Sequence, residues 1–304
     1  MSEPSSRRSF LLGRQATADD RWAKFLSQLR RDCRGAVKLV TDYQAYLNPL
    51  QLDDVIQARQ VCQAHDVILA LDGLALSPAD QSKPILWVQA GSAWGTVLPL
   101  GDTGLWRVDA GCPMAVAKAA GLLAADWPEA MTNVAQWFAT ALRGQLLAQT
   151  GLSDHLVCVD WMLPDGTIEV FGAFGASDSQ PLSSLAAQKV VPQLFELSAR
   201  QALQVTDRTD QAAHWPLQYH LDALMDPAAV NLAHFFVGHG GSLGWLVAAT
   251  FKQTQTPLPP IEISAPNASH GKGLSLSERC ELDQAIKQIM DPDGVFMSLP
   301  PQTE

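Results

Sequence analysis

An α+β fold is predicted for this 304-residue chain by three observations. Short β-branched or apolar runs bounded by Gly, Pro, Asp or Asn recur along it, and longer stretches with apolar residues at helical spacing lie between them. A tight Asp165-Gly166 turn also joins two apolar runs into a hairpin. Bulk composition agrees. With 47% hydrophobic and 17% charged residues the chain can build a core, and its length suits one large or two ordinary domains.

In chain order, Trp22 to Arg34 sets Trp22, Phe25, Leu26 and Leu29 on one helical face and basic residues on the other. A βαβ-like unit follows: a short strand at Val37 to Val40, a helix from about Gln51 to His65 opened by Asn48-Pro49-Leu50, and a strand at Val67 to Leu71. Ile85 to Val88 and Trp106 to Val108 read as further strands, and Met114 to Ala125 as an Ala-rich helix. Ala130 to Ala148 reads as helical or mixed, and the hairpin then pairs Leu156 to Leu163 with Thr167 to Gly172. Ser183 to Val205 is helical by its apolar spacing, and Trp245 to Lys252 is a strand. Ser277 to Met290 is a closing helix, with Ser275 or Ser277 as its cap and Asp291-Pro292-Asp293-Gly294 as its stop.

The charge balance excludes some partners. A net charge of -10 argues against nucleic acid or an anionic membrane as the main surface bound. No apolar run approaches the roughly 18 residues of a membrane span. The five cysteines (33, 62, 112, 158 and 280) are scattered and form no C-x-x-C pair, which fits a reducing compartment without structural zinc. No Ser/His/Asp set, H-E-x-x-H site or P-loop is present, so no metal ligands or catalytic residues are assigned.

Ser6-Arg7-Arg8-Ser9-Phe10-Leu11-Leu12 looks like a twin-arginine export signature, but a polar and charged stretch from Gly13 to Arg21 replaces the apolar region that should follow. A cytoplasmic protein with an N-terminal arm is therefore expected, with export the disfavoured alternative.

Three segments together resemble the FAD-linked oxidases of the vanillyl-alcohol oxidase / p-cresol methylhydroxylase type, a group that includes the FAD subunit of bacterial glycolate oxidase. They are Pro49 to Gly73 with Trp106-Arg107-Val108-Asp109-Ala110-Gly111, the hairpin preceded by Gly144 and Gly151, and Phe235-Phe236-Val237-Gly238 through Phe251 with Ile286 to Phe296. The resemblance implies a two-lobed FAD-binding domain of PCMH type: a small α/β lobe at 37–104 and a larger α+β lobe at 105–256. An arm and helix at 1–36 precede them, and a linker and helix at 257–304 follow. Residues 253–274 leave room for little more than a loop where the family carries a cap domain, so the cap is expected to be largely absent.

The same resemblance implies that Gly-rich backbone holds the cofactor's pyrophosphate, because an anion needs close approach to N–H groups. The positions carried over are Gly73, Gly111, Thr132, Gly144, Gly151 and the loop Gly238, His239, Gly240, Gly241 and Ser242, with Asp154 and Val157 near the adenine. Two loops depart from the pattern. Leu71-Asp72-Gly73-Leu74 keeps one glycine and adds a carboxylate, and Met131 to Trp137 has none. Cys112 and most tryptophans read as core, with Trp137 standing where the family packs backbone against FAD. Two functions stay open: an FAD-binding oxidoreductase subunit, for 2-hydroxy-acid oxidation or electron transfer with a partner, or a flavin-free assembly or regulatory partner of a redox complex.

Overall fold

The computed structural model describes residues 18–91, 94–122, 133–141, 152–175, 179–202, 215–225, 230–253 and 274–300. Thr132, Gly144, Gly151, the Arg7-Arg8 arm and most of the 253–274 connector lie outside them. The described chain is a mixed α+β structure with two sheets.

Helix α1 (Ala18–Asp32) buries Trp22, Phe25, Leu26 and Leu29, as their spacing predicts. Strand β1 (Ala36–Thr41) turns straight back into β2 (Gln44–Asn48), antiparallel to it. Helix α2 (Leu52–His65) crosses over to β3 (Ile68–Leu71), and β4 (Ile85–Val88) lies between β2 and β3, parallel to both. The crossover unit is thus β2-α2-β3 rather than one beginning at Val37. The reason lies in burial. Ala45 and Leu47 of β2 are fully buried and Tyr46 between them stacks on Trp87, whereas β1 is an exposed edge strand bulged between Leu39 and Thr41.

The second sheet is antiparallel, in the order β5 (Val97–Pro99), β6 (Leu105–Asp109), β9 (Trp245–Lys252), β7 (Leu156–Met162) and β8 (Ile168–Phe171). The hairpin closes as its turn residues dictate: Gly166 has φ 89°, and the Leu163 amide donates to the Thr167 carbonyl at 2.8 Å. Helix α3 (Met114–Ala119) is shorter than its alanines suggest, and Gly121 follows it with φ 74°.

Helix α4 is Val134–Thr140 and α5 is Leu185–Ala202. The approach to α5 is fixed by buried Glu169 of β8, which accepts hydrogen bonds from the Ser183 and Ser184 amides at 3.2 and 2.6 Å. Short α6 (Leu232–Phe235) precedes the glycine loop, and α7 (Leu276–Met290) starts on a Ser275–Glu278 capping box. One continuous core joins the sheets, drawing Leu47, Leu69 and Val88 from the first and Val108, Val159 and Phe251 from the second. Among the described residues no helix is long and apolar enough to cross a membrane.

Candidate cofactor cradle

The end of β3, helix α4 and the 238–244 loop converge where the two sheets share their core. At the first of these, Gly73 turns the chain with φ 85°. The side chain of Gln136, on α4, occupies the space a Cβ on Gly73 would need and donates to the Asp72 carbonyl at 2.8 Å. The Asp72 carboxylate accepts from the Gln89 side chain at 3.2 Å. Burial, with that carboxylate alongside, raises the pKa of the Tyr46 hydroxyl. This corner therefore carries a negative charge rather than an anion site.

The glycine loop has the shape expected of it. Gly238, Gly240, Gly241 and Gly244 all have positive φ, which glycine adopts without steric cost. Four of its amides, however, donate to protein. The Gly238 amide donates to the Phe138 carbonyl at 2.8 Å, and the Gly240 amide to the Ala139 carbonyl at 2.7 Å. The Gly241 amide donates to His239 Nδ1 at 3.0 Å and the Ser242 amide to the His239 carbonyl at 3.2 Å. His239 is 2% exposed, its ring edge-on to Trp161 at 4.7 Å. The Ser242 hydroxyl is fully buried between the His239 carbonyl and the Tyr219 hydroxyl, at 2.5 and 2.8 Å. The open side of Gly241 faces Leu74 and Met297, each 3.0 Å from where a Cβ would stand.

A buried ion pair locks this loop to the C-terminal segment. Lys287 on α7 donates to Asp291 at 2.6 Å and to the carbonyls of Ser242, Phe296 and Met297 at 2.7, 3.0 and 3.2 Å. Asp291, whose side chain is fully buried, also accepts from the Val295 and Phe296 amides at 3.0 and 2.9 Å. Burial lowers the Lys287 pKa, and the Asp291 charge opposes that shift. Sequence reading passed over this pair, although the i,i+4 spacing of Lys287 and Asp291 was its signal. It also passed over Gln136 and Tyr219, whose types carry no motif.

The remaining expected positions are dispersed. Gly111, after β6, is packed against the Gly91 carbonyl and the Trp94 indole. Val157 is half-buried on β7, and its carbonyl accepts from Asn231 at 3.0 Å. Asp154 is exposed at the end of a short 3-10 turn. Trp137 is core, 2% exposed and packed on Phe138 and Phe251. Cys112 is fully buried, its thiol pushed up to about 11 by burial with Asp109 nearby, so the thiolate a nucleophile needs is disfavoured.

No protein-family model matches the chain, and no curated protein matches it in sequence. Several solved structures share a distant likeness. A BBE-like 1 variant from Physcomitrella patens is 12% identical, with a TM-score of 0.42 over 75% of this chain and 44% of its own. Phl p 4.0202, a glucose dehydrogenase, is 13% identical, with a TM-score of 0.42 over 78% of this chain and 44% of its own. An alkyldihydroxyacetonephosphate synthase is 12% identical, with a TM-score of 0.38 over 68% of this chain and 31% of its own. The chain thus spans less than half the length of these structures. Likenesses this weak carry no argument about cofactor or activity.

Whether FAD fits rests on the geometry. The cradle implied by the resemblance needs backbone donors free for an anion and a pocket of roughly 300–1,000 Å³. Between Leu71, Ala135, His239, Gly241 and Trp245 there is a cavity of about 10 Å³, barely the volume needed to hold one water. A larger cleft of about 260 Å³ opens elsewhere, between the end of α2 and the 293–295 turn, and is lined by none of the expected site residues. The smaller cavity cannot hold the cofactor, and Thr132, Gly144 and Gly151 lie outside the described residues.

Proposed function

We propose that this chain is a flavin-free, non-catalytic scaffold that serves as an assembly or regulatory partner of a redox complex. The observation that carries the reading is the pairing of the Gly238 and Gly240 amides with the Phe138 and Ala139 carbonyls. An anion-binding loop must present such donors outward, and here these two amides are taken up by carbonyls of their own chain. Asp72 beside Gly73, and hydrophobic Leu74 and Met297 facing Gly241, support the same conclusion.

A second reading keeps FAD and makes the chain an oxidoreductase subunit for 2-hydroxy-acid oxidation or electron transfer. The positive φ angles of the loop favour it, since they match the backbone shape of an anion cradle.

Flavin content separates the two. The purified protein is expected to be colourless, to release no flavin on denaturation, and to melt at the same temperature with and without added FAD. Binding to the native state alone at a hundredfold excess over Kd would add about 2.7 kcal/mol of stability. A yellow preparation, or a melting point that climbs with FAD concentration, selects the second reading.

A further inference from the structure

The first sheet has two unlike faces, because successive side chains on a strand alternate. Leu47, Leu69 and Val88 point into the main core with α1 and α2. Ile68, Ala70 and Ile85 point the other way, into a small separate cluster with Met297, on which Leu74 and Leu76 pack. That cluster closes the outer face over β3. Trp87 of β4 packs at its margin, and Tyr46 of β2 stands directly across from Trp87. Both are half-buried, so ring surface stays in contact with solvent. Their rings are near-parallel, 23° apart in plane with centroids 6.3 Å apart.

Each ring is tethered by its polar edge. The Trp87 indole donates to the Gln44 side chain at 3.4 Å, and the Tyr46 hydroxyl lies beside the Asp72 carboxylate. Asp72 follows β3, and β4 separates β3 from β2, so the Tyr46 ring leans across β4 to reach it. Asp72 accepts from the Gln89 side chain but forms no ion pair with any described residue. Lys38, exposed on β1 across from Tyr46, is three strands from β3, about 14 Å away. Lys83 precedes β4, at the end of the sheet opposite Asp72.

From this face we infer that Tyr46, Trp87 and Asp72 form a docking site for an arginine side chain of a basic partner protein. A carboxylate lacking a cation, set beside two aromatic rings, matches a guanidinium in charge and in shape. The planar, weakly hydrated guanidinium stacks on a ring while its N–H groups meet a carboxylate, which a lysine ammonium does less well. The net charge of -10 draws a basic partner to the chain. The inference rests on the assembly reading and names the chemistry of the partner.

The test titrates a dye-labelled peptide of two arginines spaced by glycines into the full chain, with its lysine counterpart alongside. The arginine peptide is expected to bind the tighter and to shift the indole N–H resonance of Trp87, assigned by its loss in Trp87→Phe. Asp72→Asn and Tyr46→Leu should each weaken binding about two- to fivefold, as for a cation–π contact or an ion pair at an exposed site. Asp102→Asn removes an exposed carboxylate in the β5–β6 turn and should leave binding unchanged. Melting curves establish that the variants fold. Equal weakening by Asp102→Asn, equal affinity for the lysine peptide, or an unmoved Trp87 resonance overturns the inference, since charge alone or another surface then holds the peptide. Flavin content of the same preparation tests the assembly reading separately, so the two failures are told apart.

Discussion

The side-chain amide of Gln136 lies over the α-carbon of Gly73, held there by the hydrogen bond it donates to the Asp72 carbonyl. The contact ties α4 to the turn after β3. Gly73→Ala must both adopt φ 85° and displace Gln136. It is expected to destabilise the protein by roughly 1–3 kcal/mol in a denaturant titration. Gln136→Ala alone should cost about 1 kcal/mol, the worth of the hydrogen bond. Because it also clears the space, the double variant should lose less than the sum of the two. Strict additivity would show that the two residues do not share this space.

Lys287 and Asp291 make a second, harsher test. Removing one partner of a buried pair leaves an uncompensated charge, at about 3–5 kcal/mol. Lys287→Met should therefore unfold at much lower denaturant than the parent, while Lys287→Met/Asp291→Asn recovers part of the loss. A single variant within about 0.5 kcal/mol of the parent would mean that the pair is solvated.

Burial lowers the His234 pKa from its usual 6.5, although its hydrogen bond to the Leu156 carbonyl opposes that shift. The folded state thus binds a proton here less readily than the unfolded chain. The contribution to stability is complete above pH 6.5 and is lost as pH falls below it, by at most about 1.4 kcal/mol per pH unit for one proton. Denaturation curves at pH 7.5, 6 and 5 should show a steeper loss for the parent than for His234→Gln. Parallel pH dependences would remove His234 as a source of acid sensitivity.

Thiol labelling should follow burial. Cys280 is exposed and should react first, with half-buried Cys158 slower. Cys33, Cys62 and Cys112 are buried, and burial raises each of their pKa values, Cys33 to about 12. They should stay unlabelled until the protein unfolds, and Cys280→Ser should abolish the fast phase. Fast labelling that survives Cys280→Ser would contradict this assignment.

What the sequence made legible, and what it hid, follows from where the information resides. Helix α1 was readable because Trp22, Phe25, Leu26 and Leu29 repeat at helical spacing, and α7 because Ser275 or Ser277 offers a cap and Asp291-Pro292-Asp293-Gly294 a stop. Strand β2 was hidden: it has five residues, with polar Gln44 and Asn48 at its ends, so its alternation is too short to stand out. Strand β5 has three residues and ends on Pro99. In the cradle, the positive φ of Gly238, Gly240 and Gly241 was implied by residue type, but the acceptors of their amides were not. Phe138 and Ala139 act through main-chain carbonyls, and a carbonyl leaves no mark in residue identity.

A glycine loop closed by its own chain, and not by a cofactor, should show itself in amide hydrogen exchange at Gly238 and Gly240. Both amides should exchange slowly in the cofactor-free protein, protected like β9 and β7 beside them, and their rates should not change when FAD is added in excess. Rapid exchange without FAD that becomes slow on its addition would contradict this and show that these donors face a ligand site.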